Sequence, residues 1–276
     1  MLYKNIRIFD EEFVHEEDNT FIGLRKPDLQ TLRWNRDEGF ISSTCVFTDS
    51  EIKEGRAKNI NCQTKIALVL EPRAIKEEVI EYLLENPNEY DYILTHDEEL
   101  LNRYNNTYPC PAILHFVQDW SNPEKTKLVS MISSGKTLAP GHKLRQEIMK
   151  TLKSKIDLFG REINPIDNKE TGLQPYRFSV AVENSRNGCY FTEKILDCFT
   201  TRTVPIYWGC PSLDRYFDMD GVITFESVDE LENIIDNLSE NKYNKMKKAI
   251  EYNYVVATDN YRSLESYLDW YFEELF

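Results

Sequence analysis

Short apolar runs alternate along this chain with stretches whose apolar residues return every three or four positions. The first runs are Asn5–Phe9, Thr44–Thr48 and Lys65–Leu70, the last reading KIALVL before Glu71-Pro72. Runs so short and so sharply ended are the signature of buried strands. From Ile75 to Leu84 the apolar positions Ile75, Val79, Ile80, Leu83 and Leu84 share one helical face. Asp91–His96 (DYILTH) is the next expected strand, DEELLNRY the next helix, and Ala112–Val117 a further strand. A polar, proline-bearing break, QDWSNPEK at Gln118–Lys125, marks a domain boundary. Beyond it the rhythm resumes: strand Leu128–Ser133, helix His142–Lys153, strand Ile156–Phe159, and later strand-like Gly221–Phe225 with helices Val228–Leu238 and Asn241–Tyr254. Tyr261–Phe276 reads as an aromatic-rich amphipathic helix. Such alternation predicts an α/β chain with parallel sheets covered on both faces, arranged as two domains facing across a cleft. The expected divisions are 1–122, 123–260 and the terminal helix 261–276.

The stretch Tyr176–Ser212 carries most of the chemistry. Phe178, Val180 and Val182 form an apolar strand that stops at Glu183-Asn184; a polar loop with Asn187-Gly188 follows. A helix opens near Thr192 with Glu193 and Lys194 in its first turn, and a second buried strand, Val204–Trp208, ends at Gly209. This is one βαβ unit, and ligands of such units gather where the strands end. A helix N-terminus with a lysine beside it is a seat for phosphate, so a nucleotide-diphosphate site is expected here.

Composition narrows the field. At 276 residues, 41% hydrophobic and 12% aromatic, the chain is long enough for two cores. A net charge of −14 argues against a non-specific nucleic-acid binder, which needs a basic face. No apolar run approaches the roughly 20 residues of a bilayer span. The opening MLYKNIRIFDEEF carries charges where a signal peptide would be apolar. Six cysteines without a CxxC pair read as free buried thiols rather than a disulfide framework. His15, His96, His115 and His142 show no ligand spacing, and Asp218-Met219-Asp220, although DxD-like, precedes a strand-opening glycine and reads as a solvated turn. No metal is expected. His142 reads either as facing phosphate or as a surface residue.

The central stretch resembles the donor-binding motif of the α1,3-fucosyltransferases, glycosyltransferase family 10. Phe178, Glu183-Asn184-Ser185, Tyr190, Thr192-Glu193-Lys194 and the Pro205–Gly209 strand end carry the resemblance. It implies a GT-B fold of two Rossmann-like domains, the first on the acceptor side and the second binding a GDP-sugar. The implied reaction is transfer of L-fucose from GDP-fucose, with inversion, to a hydroxyl of an acceptor glycan, requiring no cofactor. By the same resemblance Lys194 holds the diphosphate, Glu193 contacts the ribose or fucose, and Asn184 and Tyr190 touch the donor. Glu183 and Thr192 lie in the same donor-binding motif. Arg145, in GHKLRQEIM, matches an arginine opening the donor domain's first helix, and Glu71 falls where the general base would stand. Val182 replaces a phenylalanine often found before ENS. Such a resemblance without a membrane anchor implies a soluble, cytoplasmic enzyme of bacterial or viral type.

Plainer readings stand beside these. Lys194 is also an ordinary first-turn lysine, although a cation there lacks the favourable charge that Glu193 has. Arg145 is able to pair with Glu147, Glu71 to be a strand-end charge, and Asn184 a turn residue bonding its own backbone. A GT-B enzyme using another nucleotide sugar, or a non-catalytic nucleotide-sugar-binding protein, are the remaining alternatives.

Overall fold

The N-terminal strands form a fully parallel sheet, every pair of neighbours running the same way. The computed structural model describes residues 4–11, 32–37, 39–53 and 55–275. Strands β1 (Lys4–Phe9), β2 (Leu32–Asn35), β3 (Thr44–Thr48), β4 (Thr64–Leu68), β5 (Tyr92–Thr95) and β6 (Thr107–Pro109) lie in the order β2-β1-β3-β4-β5-β6. Helices α1 (Ser50–Lys53), α2 (Glu77–Glu85) and α3 (Glu98–Arg103) connect them. Phe47, Ala67, Val79, Ile80, Leu83, Ile93 and Leu100 meet in the core between sheet and helices. Asp97 caps α3, its carboxylate accepting from the backbone N–H of Glu99 and Leu100.

The second sheet holds β7 (Lys127–Ile132), β8 (Asp157–Phe159), β9 (Tyr176–Val182), β10 (Val204–Trp208) and β11 (Ile223–Thr224), again all parallel, in the order β11-β10-β9-β7-β8. Its helices are α4 (Pro140–Leu152), α5 (Glu170–Leu173), α6 (Glu193–Thr200), α7 (Val228–Asp236) and α8 (Glu240–Asp259). Serine or threonine decides where three of them begin: Thr192, Ser227 and Ser239 each accept a backbone N–H of the first turn. The chain steps from β7 to β8 on one side, then returns to place β9 on the other side of β7. That reversal is the topological switch point, where ligands of open parallel sheets bind.

The residues pack as two units. One gathers the residues up to Leu114 with Asn187–Tyr190 and the segment from Tyr261; the other holds His115–Arg186 and Phe191–Asn260. In the first unit the last helix, α9 (Leu264–Tyr271), is capped by Ser263 and lies on β2. There the Trp34 indole N–H donates to Glu265 at 2.9 Å and Lys4 pairs with Asp269. This helix is shorter than the expected 261–276, and Phe276 lies outside the described residues.

One expectation needs correction. Ala112–Val117 is not a strand, although Ala112, Ile113 and Val117 are buried. Side-chain carboxylates replace the missing ladder: Asp197 accepts the backbone N–H of Phe116 and Val117, and Glu170 those of Gln118 and Asp119. A buried backbone needs partners, and these carboxylates supply them without a neighbouring strand. The edge strand is instead β6, and β2 had no counterpart in the reading of the apolar runs. Asp218-Met219-Asp220 is a turn, with the Asp218 carboxylate accepting the N–H of Asp220 at 2.9 Å.

Lys125, inside the polar break, is buried. Its ammonium donates to the carbonyl of Thr201 at 2.7 Å, the Thr203 hydroxyl at 2.9 Å and the carbonyl of Leu173 at 3.4 Å. Burial pulls its pKa down to about 7 despite these acceptors. An unfolded lysine titrates near 10.4, so the unfolded state binds the extra proton between those values. Stability from this group therefore rises as pH climbs from about 7 towards about 10. Urea midpoints of wild type and Lys125→Met, compared at pH 7 and pH 9.5, are expected to shift in favour of wild type at the higher pH. A difference independent of pH removes Lys125 as the titrating group.

Candidate active site

In the second unit the carboxyl end of β9 and the N-termini of α4 and α6 converge at the switch point. Close approach is enforced by glycine: a Cβ on Gly141 would lie 1.7 Å from the carbonyl oxygen of Glu183. The N–H of Gly141 donates to the Asn184 carbonyl at 3.0 Å, tying α4 to the strand end. Arg145, one turn on, is buried, and its guanidinium donates to the Val182 carbonyl and to Asn184 Oδ1 at 3.0 Å. Arg145 and Asn184, singled out separately in the sequence, are thus in contact.

Glu183 is fully buried. Its carboxylate accepts the backbone N–H of Thr192 at 3.0 Å, the Thr192 hydroxyl at 2.7 Å and the Tyr207 hydroxyl at 3.3 Å. Burial raises its pKa, more than the Lys194 charge and the Thr192 donors lower it. The carboxylate thereby holds the N-cap of α6 against the ends of β9 and β10. Gly209 makes this possible, since a Cβ there would come within 2.5 Å of the Glu183 side chain. Tyr207 belongs to this frame, accepting the N–H of Cys210 at 3.1 Å.

Lys194 is flanked by carboxylates. Its Nζ donates to Glu193 at 3.0 Å and to the Thr192 hydroxyl at 3.1 Å, and lies 3.6 Å from Glu183. Burial opposes its charge, but Glu193 and Glu183 outweigh that and raise its pKa. Burial likewise disfavours ionised Glu193, yet Lys194 and Lys169 overcome it and hold the carboxyl well below the usual range. Both groups are charged at neutral pH. Lys194 is thus a part-buried lysine held by carboxylates, with its side chain 22% exposed.

The array extends further than the motif. Lys169, just before α5, lies 3.7 Å from Glu193 and 3.1 Å from Asp197. Its ammonium also sits 4.4 Å from the centroid of the Phe116 ring. Glu183, Lys194, Glu193, Lys169 and Asp197 therefore alternate in sign along α6. Lys169 went unnoticed in the sequence because its loop, IDNKE, has no periodicity. The visible signal was the i, i+4 pair Glu193 and Asp197, two acids on one helical face that require a cation.

Six of the eight singled-out residues come together in this unit: Arg145, Glu183, Asn184, Thr192, Glu193 and Lys194. Glu71 and Tyr190 belong to the other unit. Glu71 follows β4, where the carboxylate of buried Asp49 accepts the N–H of Leu70 at 3.0 Å and of Glu71 at 3.1 Å. His96 Nε2 lies 3.3 Å from the Leu70 carbonyl, and the His96 ring sits 4.7 Å from the ring of Tyr190. Burial depresses the His96 pKa to about 4, so the ring is neutral. His96 therefore links the Glu71 strand end to Tyr190. Among the described residues no cluster of three or more His, Cys, Asp or Glu is arranged to hold a metal ion, and His15 lies outside them. None of the six cysteines is in a disulfide. No helix among the described residues is long and apolar enough to cross a membrane.

The fold has solved counterparts. A crystal structure of α1,3-fucosyltransferase aligns with a TM-score of 0.57 at 17% identity, covering 96% of this chain and 92% of that one. A crystal structure of α1,3-fucosyltransferase with GDP-fucose gives 0.55 at 18% identity, over 89% and 81%. TarM gives 0.58 at 14% identity, over 86% of this chain and 56% of that one. At such identities the likeness establishes the fold, α/β of the GT-B type. In sequence, alpha-(1,3)-fucosyltransferase FucT of Helicobacter pylori is 30% identical over 132 residues, 46% of this chain. That match spans only 27% of the relative's length. The pattern of the C-terminal part of glycosyltransferase family 10 (fucosyltransferase) matches residues 122–270, more than half of the chain and the whole of the converging site. The chain is a member of glycosyltransferase family 10, the fucosyltransferases.

Proposed function

We propose that this protein transfers L-fucose from GDP-fucose to a hydroxyl of an acceptor glycan, inverting the anomeric carbon. The observation that carries the reading is the pair of cations, buried Arg145 and part-buried Lys194, at the switch point of the second sheet. Departure of GDP builds negative charge on the diphosphate while the fucose ring becomes oxocarbenium-like. Cations already locked in place meet that charge without reorganising at the moment of reaction. Arg145 is locked by the Val182 carbonyl and Asn184, Lys194 by Glu193 and Thr192. Glu183 serves the site by fixing Thr192 and Tyr207 from below. Glu193 stays ionised and is able to balance positive charge on the sugar or bind a ribose hydroxyl; Asn184 and Tyr190 take the remaining donor contacts. Glu71 accepts the proton of the attacking hydroxyl.

The donor is tested by thermal unfolding with GDP-fucose, GDP-mannose and UDP-sugars. A ligand that binds only the folded state raises the melting temperature by mass action. GDP-fucose is expected to give the largest shift. A larger shift with a UDP-sugar replaces the donor, and the absence of any shift or transfer across many acceptors leaves a binding protein.

A further inference from the structure

His142 is the third residue of α4, in the same cluster as Arg145 and Lys194. Its side chain is buried, the residue being 3% exposed. Nδ1 accepts the backbone N–H of Ala139, the residue before the helix, at 3.0 Å. This bond settles the tautomer: an N–H donor faces Nδ1, so the ring proton sits on Nε2. That Nε2–H has no acceptor among the described residues. Burial first, and then the charges of Arg145, Lys136 and Lys194, hold its pKa down at about 4. His142 is therefore a neutral donor at physiological pH, placed among cations at the positive end of a helix.

A histidine that served only as a cap would need Nδ1 alone. Here the opposite edge of the ring is a donor that has no protein acceptor and is not sealed off, so a ligand can reach it. The helix's own N-terminus has few donors to offer, since Pro140 has no N–H and that of Gly141 is spent on the Asn184 carbonyl. A third permanent cation beside Arg145 and Lys194 would repel both; a neutral N–H adds a bond to an anion without that repulsion. We infer that His142 is a third diphosphate ligand, its Nε2–H donating to a phosphate oxygen of the nucleotide alongside Arg145 and Lys194. The inference deepens the GDP-sugar reading and rests on it.

Two conservative variants separate binding from capping. Asparagine carries an acceptor close to the place of Nδ1 but no donor at Nε2; glutamine carries a donor close to Nε2 but no acceptor at Nδ1. In calorimetric titrations with GDP, His142→Asn is expected to bind about tenfold more weakly than wild type, while His142→Gln stays closer to it. Thermal stability should rank the other way, with His142→Asn the closer to wild type because it keeps the bond to Ala139. If His142→Asn binds GDP as wild type does, the residue is a cap and the inference is overturned. The wild type alone gives an independent reading by nitrogen-15 NMR. Adding GDP should move the His142 Nε2–H proton signal downfield, and a signal that stays put while GDP binds also overturns the inference. Failure of the wild type to bind either GDP or inorganic pyrophosphate would sink the donor reading itself, before any variant is compared.

Discussion

Lys194→Ala is expected to lower the turnover of fucosyl transfer by about a hundredfold to a thousandfold, the usual cost of removing one preorganised charge-stabilising group. The effect should fall on kcat, because the ammonium matters most when GDP carries its full leaving-group charge. Stability also changes, since the substitution strips a partner from two buried carboxylates. The loss is held to about 3 kcal/mol, at the low end for breaking a buried pair. Glu183 keeps Thr192 and Tyr207, and Glu193 keeps Lys169 nearby. Rates are therefore measured well below the variant's melting temperature, with Lys194→Met/Glu193→Gln as a charge-balanced companion. Near-normal turnover in a folded Lys194→Ala protein would remove the lysine from the mechanism.

The second large effect is expected at Glu71. Glu71→Gln should bind GDP-fucose normally and transfer about 10²- to 10⁴-fold more slowly, the range for a lost general base. The amide keeps the size of the carboxyl and loses the ability to take a proton. The backbone is prepared for such a role: buried Asp49 accepts the N–H of Leu70 and Glu71 while His96 lies at the Leu70 carbonyl, so the strand end is held on both sides. Asp49 itself sits at φ 30°, a conformation that non-glycine residues adopt only where their surroundings enforce it. Donor affinity is read by titration with GDP-fucose and the rate by product formation at saturating donor. Full-rate transfer by Glu71→Gln assigns the proton to another carboxylate.

The apolar runs disclosed the strands whose pairing is buried on both faces, because such strands leave an unbroken hydrophobic signature. Val204–Trp208 is observed over the same residues, as is Thr44–Thr48. The opening of α6 was legible for a local reason, a threonine cap followed by an acid. Ala112–Val117 misled because burial and strand pairing leave the same apolar trace, and only the distant Asp197 and Glu170 decide between them. β2 escaped because LRWN alternates apolar with polar over too few residues to stand out. Within the site, the charged pair Glu193-Lys194 was visible as a motif. The burial of Glu183, the role of Tyr207 as its donor and the bridge by Lys169 depend on contacts between elements far apart in the chain. Of the two readings of His142, the surface one fails on burial, which the sequence does not show.

The chain's bookends carry a consequence for biosynthesis. Helix α9 completes the first unit through Trp34–Glu265 and Lys4–Asp269, yet it follows every residue of the second. The ribosome thus releases a first sheet with one flank bare, translates an entire inserted body, and only then delivers the piece that covers that flank. Cutting the gene between Leu114 and His115 is expected to leave the upstream fragment without α9 and without Asn187–Tyr190, so that it is not a self-sufficient half.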